Sequence, residues 1–189
     1  MTAKGKIRII GGRYRGRKIS VVHEEIRPTS DRVRETLFNW LNPKLVNKSC
    51  LDLFAGTGIL GIEALSRGAK KVVFVDHQQD IVSEIKNQIT KLQLNNTSVI
   101  LSDSLSYLEN PKHLDSFDII FLDPPFGVYS LEKILEHIDK TKSLNPQGMV
   151  YYESNQSLEN SMISNSWDNY RESKAGNVYY GLLTKKILN

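Results

Sequence analysis

The chain has 189 residues, 40% hydrophobic and 24% charged, with a formal net charge of +4. That suits one domain with a sizeable core, and no apolar run approaches the roughly 18 residues that cross a bilayer. The single Cys50 excludes an internal disulfide and reads as buried packing; His23, His77, His113 and His137 are scattered without metal-ligand spacing, so no metal is expected.

The positive charge is concentrated at one end. Residues 1–34 carry ten Lys or Arg against three acids, Glu24, Glu25 and Asp31, whereas the rest of the chain carries 15 against 18. No long apolar stretch follows the basic N-terminus, so no signal peptide is expected and the protein reads as soluble and intracellular. Ile7, Ile9, Ile10, Ile19, Val21 and Val22 suggest two strands around Gly11, Gly12 and Gly16. Between them Arg13, Arg15 and Arg17 alternate with Tyr14, Gly16 and Lys18, a pattern that suits a hairpin contacting phosphates, although a solvated basic face has the same composition.

Thr29 or Ser30 is placed to cap a helix reaching Leu41, with Pro28 outside it, Val33, Leu37, Trp40 and Leu41 on one face, and Pro43 ending it. Residues 50–54 (CLDLF) read as a short buried strand, followed by a glycine loop, 55–61, and a helix to about Arg67. Gly56, Gly58 and Gly61 satisfy the spacing of a dinucleotide-binding turn, where a ligand's polar end meets a helix N-terminus. Asp76 ends the next strand, 72–75, at a ribose-reading position. The glycines alone fit NAD or S-adenosylmethionine, but a carboxylate at Asp52 opposes a pyrophosphate and favours ammonium and sulfonium charges.

Ile81, Ile85, Ile89 and Leu92 mark a helix, 99–101 a third strand, and Asp103 with Ser104 lies at its carboxyl end, where Asp103 is also a candidate N-cap. The run 119–122 suits a fully buried parallel strand, stopped by Asp123, Pro124, Pro125 and Phe126. This loop offers a carboxylate, backbone carbonyls and an aromatic face at a strand's carboxyl end, where open α/β sheets bind ligands. Those groups suit a planar base whose exocyclic amine must be oriented toward an electrophile; the same tetrapeptide also serves simply as a turn. Leu131, Ile134, Leu135 and Ile138 give another helix, 148–152 a fifth strand, and 178–183 with 185–188 a closing antiparallel pair.

Four segments together resemble class I S-adenosylmethionine-dependent methyltransferases and, more closely, the RsmD family, bacterial small-subunit ribosomal RNA guanine-N2 methyltransferases. They are RIIGGRYRGRKI at 8–19, RPTSDRVRETLFNWL at 27–41, LDLFAGTGILGIEALSRGA at 51–69 and DIIFLDPPF at 118–126. The last two are shared widely among methyltransferases, and the first two are the more specific. The loop after Phe126 and the tail after Glu153 match nothing in the pattern.

The resemblance implies a Rossmann-like class I methyltransferase fold: a mostly parallel seven-stranded sheet with helices on both faces, a C-terminal antiparallel strand pair and an N-terminal β-hairpin arm. It divides the chain into a basic arm, 1–26, and a methyltransferase domain, 27–189. It further implies S-adenosylmethionine bound by Asp52, Phe54, Gly56, Gly58, Asp76, Asp103 and Ser104, with Asp76 on the ribose and Asp103 on the adenine amine. Catalysis falls to Asp123, Pro124, Pro125 and Phe126. RNA contacts fall to Arg8, Arg13, Arg15, Arg17, Lys18 and Arg32. The implied partner is 16S ribosomal RNA, free or within an assembling small ribosomal subunit, and the implied setting is a monomer in the cytoplasm. Other readings to be separated are an adenine-N6 methyltransferase, a catalytically silent RNA-binding assembly factor, and a nucleotide-dependent oxidoreductase.

Overall fold

A computed structural model describes residues 5–21, 29–42, 44–110, 115–125, 127–158 and 166–186. Of the positions singled out above, Val22, His23, Glu24, Glu25, Pro28, Pro43, His113, Phe126 and 187–188 lie outside the described residues.

A short antiparallel hairpin opens the chain, β1 (Lys6–Arg8) with β2 (Lys18–Ser20), in the register Ile7 opposite Ile19. Helix α1 (Asp31–Leu41) follows, capped by Ser30, whose hydroxyl accepts from Val33 N at 3.3 Å. Strands and helices then alternate: β3 (Ser49–Asp52), α2 (Ile59–Ser66), β4 (Lys71–Asp76), α3 (Gln79–Leu92), β5 (Thr97–Leu101), α4 (Ser104–Glu109), β6 (Phe117–Leu122), α5 (Leu131–Thr141) and β7 (Leu144–Ser154). Two antiparallel strands, β8 (Trp167–Ala175) and β9 (Val178–Lys185), complete a seven-stranded sheet of order β5-β4-β3-β6-β7-β9-β8. The first five strands of that order are parallel, as alternating strand and crossover helix demands.

Strand alternation divides the interior into two cores. Cys50, Val72, Phe74, Ile119, Phe121 and Tyr151 face α1, α2 and α3, whereas Leu51, Val73, Val75, Ile120, Leu122 and Tyr152 face α4 and α5. Both faces of the central strands are therefore buried, which is why β3, β4 and β6 read as continuous apolar runs.

The C-terminal strands differ from the expected pairing. Residues 178–183 do form a strand, but its antiparallel partner is β8 rather than 185–188, and Lys185 belongs to β9 itself. The sequence WDNYRESKA of β8 has no apolar alternation because it is the sheet edge and faces water on most of its length. Its signal lay in the turn: Gly176 and Asn177 join Ala175 to the facing Val178, and Gly176 takes φ +60°, the two-residue hairpin pattern. β7 is longer than the expected 148–152 and contains Pro146 near its start, where the β6 pairing shifts register.

The hairpin is bolted to the sheet layer. Ile7, Ile9, Ile19 and Val21 belong to the first core. The expected apolar face of α1 needs one revision: Trp40 is half-buried against Tyr180, and the fully buried stripe includes Arg34 and Phe38. Arg34 Nη1 donates to Glu63 Oε1 at 3.1 Å, both side chains being fully buried, and both its terminal nitrogens donate to the Arg8 carbonyl at 3.1 Å. Glu63 Oε1 also accepts from Ile10 N at 2.5 Å, and Ser66 at the end of α2 bonds to the backbone of Gly11, Arg13 and Tyr14. Gly12 sits against that helix end at φ +74°; a Cβ there would lie 1.9 Å from the Ser66 carbonyl oxygen.

Because an ion buried without its partner costs several kcal/mol, Glu63→Ala should destabilise the protein by about 3–5 kcal/mol. Urea denaturation measures this directly, and a loss below about 1 kcal/mol would show that the pair is not structural.

Candidate active site

Strands β4, β3 and β6 are neighbours and parallel, so their carboxyl ends share one edge. Asp76 ends β4, Asp52 ends β3, and Asp123 directly follows β6. A cavity of about 350 Å³ opens at that edge. Of the residues expected in the site, Asp52, Phe54, Gly56, Asp76, Ser104, Asp123, Pro124 and Pro125 line it. Sequence reasoning did not assign Thr29 or Tyr129 to it, yet both do so.

The carboxylates shape the glycine loop. Asp52 Oδ2 accepts from Gly61 N in the first turn of α2 at 3.0 Å, and Asp76 accepts from Gly56 N and Gln78 N, each at 2.9 Å. Gly58 lies just behind the cavity lining as the cap of α2, at φ +73°, which favours glycine, with Ile85 of α3 facing its Cβ position at 3.2 Å. Ser104 Oγ donates to the Leu53 carbonyl at 2.8 Å, tying the end of β3 to α4.

Asp103 is the N-cap of α4, accepting from Ser106 N at 3.0 Å, and also accepts from the Tyr129 hydroxyl at 2.6 Å. These bonds hold its carboxyl below the usual range and push the Tyr129 hydroxyl up to about 12. Asp103 stands behind Tyr129 rather than among the residues lining the cavity. Phe54 packs on Tyr129 with ring centroids 5.2 Å apart. The basic residues Arg8, Arg13, Arg15, Arg17 and Lys18 lie on the hairpin and Arg32 on the exposed side of α1, and none of them lines this cavity.

Burial dominates the electrostatics. It raises the Asp52 carboxyl from 3.8 to about 7, with the Gly61 N–H opposing and Asp76 adding repulsion. It likewise pushes Asp123 well above the carboxylate range, reinforced by Glu153 and Asp52 and opposed by the Thr29 hydroxyl, which donates to Asp123 at 3.3 Å. Glu153 in turn accepts from the buried Tyr151 hydroxyl at 2.8 Å. A cavity whose walls hold acids short of counter-charge fits a cationic ligand. S-adenosylmethionine carries an ammonium and a sulfonium, whereas a dinucleotide would add negative charge. Among the described residues no group of three or more His, Cys, Asp or Glu is disposed to hold a metal ion, and no helix is long and apolar enough to cross a membrane.

Fold and site together define a class I S-adenosylmethionine-dependent methyltransferase. The profile of a family described as conserved hypothetical protein 95 matches residues 7–184. The chain is 40% identical over 184 residues to ribosomal RNA small subunit methyltransferase D of Haemophilus influenzae, covering 95% of this chain and 94% of that one. It is 38% identical to the protein of the same description from Escherichia coli K12, covering 98% and 93%. A solved Escherichia coli structure, provisionally described as a methyltransferase, superposes with a TM-score of 0.85 at 38% identity, covering 97% of this chain and 100% of that one. The chain belongs to the RsmD family.

The raised Asp52 carboxyl has a consequence for the cofactor-free protein. Folded Asp52 keeps a proton that the unfolded chain releases above pH 3.8, so its contribution to stability is full below that pH and lost as pH rises to about 7. Asp52→Asn should therefore flatten this decline, stabilise the cofactor-free protein at pH 8 by about 1–4 kcal/mol, and weaken S-adenosylmethionine binding. Thermal scans from pH 5 to 8 check it, and parallel profiles for the two proteins would contradict it.

Proposed function

We propose that the chain transfers a methyl group from S-adenosylmethionine to the exocyclic N2 amine of a guanine in small-subunit ribosomal RNA, acting as a monomer in the cytoplasm. The observation that carries this reading is the position of Asp123 and Pro124 on the same cavity as Asp52 and Asp76. An amine acceptor and a cationic donor thereby meet at one sheet edge. The relatives' description as small subunit methyltransferases supports RNA as the substrate class.

S-adenosylmethionine, when bound, supplies an electrophilic methyl group on a sulfonium sulfur. Residues 56 and 58 form the turn beside its methionine portion, Asp52 lies near that charged end, and Asp76 has lone pairs left for the ribose hydroxyls. Phe54, Ser104 and Asp103, the last through Tyr129, shape the adenine end. The target guanine leaves its stack to reach the cavity. There the Asp123 carboxylate and Pro124 carbonyl accept the two N2 hydrogens, turning the lone pair toward the methyl donor, with Pro125 bounding the base. Orientation supplies most of the rate, because a conjugated amine is a poor nucleophile. The cationic donor beside Asp123 favours its ionised form, and burial leaves that carboxylate basic enough to receive the proton that the methylated amine releases.

Residues 1–26 form the RNA-facing arm of a methyltransferase domain spanning 27–189. Arg8, Arg13, Arg15, Arg17 and Lys18 hold phosphates from one side of it, and Arg32 extends the same charge onto α1. The Arg13 and Arg17 guanidiniums lie 5.6 and 5.4 Å from the Tyr14 ring centroid, so cations and an aromatic ring share one surface, the combination that suits a nucleic-acid strand. The adenine-N6 alternative uses the same amine-holding loop and is separated by product analysis.

Asp123→Ala should lower the rate of methyl transfer by about 10²-fold or more and leave cofactor affinity near the wild-type value. Transfer within about threefold of wild type, in single-turnover assays with small-subunit RNA, would remove Asp123 from the reaction.

Replacing Arg13, Arg15 and Arg17 together by Ala should weaken RNA binding and reduce the slope of log affinity against log salt by about 2, at roughly 0.7 per single-strand phosphate. Cofactor affinity should not change. An unaltered slope would return the arm to a solvated basic face.

A further inference from the structure

A second cavity, about 170 Å³, lies where the hairpin meets the first turns of α1, lined by Arg8, Ile9, Ile10, Arg15, Gly16, Asp31 and Glu35. Its volume is below the roughly 300–1,000 Å³ of whole-ligand sites, and suits one planar ring. Its charges are unequally committed. Asp31 Oδ1 accepts from Arg34 Nη2 at 2.5 Å, and Arg8 Nη2 approaches the other Asp31 oxygen only to 4.0 Å. Glu35 and Arg15 make no ion pair and no side-chain hydrogen bond among the described residues. A base-sized recess thus presents one free carboxylate and one free guanidinium, with the loosely paired Arg8 beside them.

The recess stands in register with the main cavity. Thr29, two residues before α1, lines the main cavity, and Glu35 lines the second. Four helical residues at about 1.5 Å each and two extended ones at about 3.3 Å each put the two at most roughly 13 Å apart along the chain. Successive phosphates of a strand are about 3.4 Å apart in duplex rise and farther in an extended strand, so close neighbours on one strand can reach both.

We propose that this recess is a nucleobase subsite. Resting on the RNA-methylating reading above, it takes an amine-bearing base close to the target guanine on the same strand, with Glu35 accepting from the base amine and Arg8 and Arg15 holding its phosphate. A carboxylate accepts from the amino group of cytosine, adenine or guanine. Uracil offers only an imino N–H between two carbonyl oxygens, which a carboxylate repels. The subsite therefore discriminates against uracil.

The test uses the full chain saturated with S-adenosylhomocysteine, titrated by NMR with CMP, AMP, GMP and UMP in turn. CMP is expected to shift the backbone amides of Ile10, Gly16 and Glu35, and UMP to do so at least about threefold more weakly. Glu35→Ala should abolish that difference while Arg8→Ala and Arg15→Ala weaken CMP and UMP alike, by about 10-fold or more for a charge-assisted contact. Equal response to CMP and UMP, discrimination that survives in Glu35→Ala, or no shift at these amides would each overturn the subsite. The outcomes stay separate from those of the catalytic reading. A protein that methylates small-subunit RNA but shows no such shifts loses only the subsite, and one that discriminates CMP from UMP but transfers no methyl group loses only the reaction.

Discussion

The site depends on placing carboxylates side by side at the ends of adjacent parallel strands. A parallel sheet puts all its carboxyl ends on one edge, and here β4, β3 and β6 deliver Asp76, Asp52 and Asp123 to it. Burying acids so close together is unfavourable unless each finds donors. Gly61, Gly56 and Gln78 supply backbone N–H groups, and Thr29 a hydroxyl. The bonds that offset the repulsion also fix the glycine loop, so the turn proposed to hold the cofactor is shaped by the acids beside it. The charge that remains is the attraction offered to a cationic methyl donor.

A buried charge pair joins this site to the basic hairpin. Arg34 on α1 and Glu63 on α2 meet in the core and together hold the Arg8 carbonyl and the Ile10 N–H. Helix α2 begins at the glycine loop and ends against the hairpin, and α1 begins two residues after Thr29, whose hydroxyl donates to Asp123. The surface proposed to grip RNA and the loop proposed to hold the cofactor therefore rest on the same two helices. Arg34 Nε has no partner among the described residues, so the bonds of this group converge on its two terminal nitrogens.

Most of the sheet was legible because fully buried strands leave a plain signature, apolar runs closed by glycine, proline or a terminal acid, as in CLDLF and IIFLDPP. The hairpin's Ile7 and Ile19 were equally plain, whereas the cap of α1 was narrowed only to Thr29 or Ser30 and falls to Ser30. Edge strand β8 was not, since a strand facing water need carry no alternation, and its two-residue Gly-Asn turn was the one local clue. Arg34 could not be read as core, because a charged residue among apolar ones looks solvated until its partner 29 residues away is known. Thr29 and Tyr129 join the site through tertiary contacts to Asp123 and Asp103. Local pattern offered a cap for the first and nothing for the second.

The most direct test of this account is the identity of the methylated nucleoside. Small-subunit ribosomal RNA, naked and in assembling particles, is incubated with the protein and isotopically labelled S-adenosylmethionine, digested to nucleosides and resolved by mass spectrometry. The account predicts label in N2-methylguanosine at a discrete site. Label in N6-methyladenosine, or binding of cofactor and RNA with no transfer to either RNA form, would contradict it.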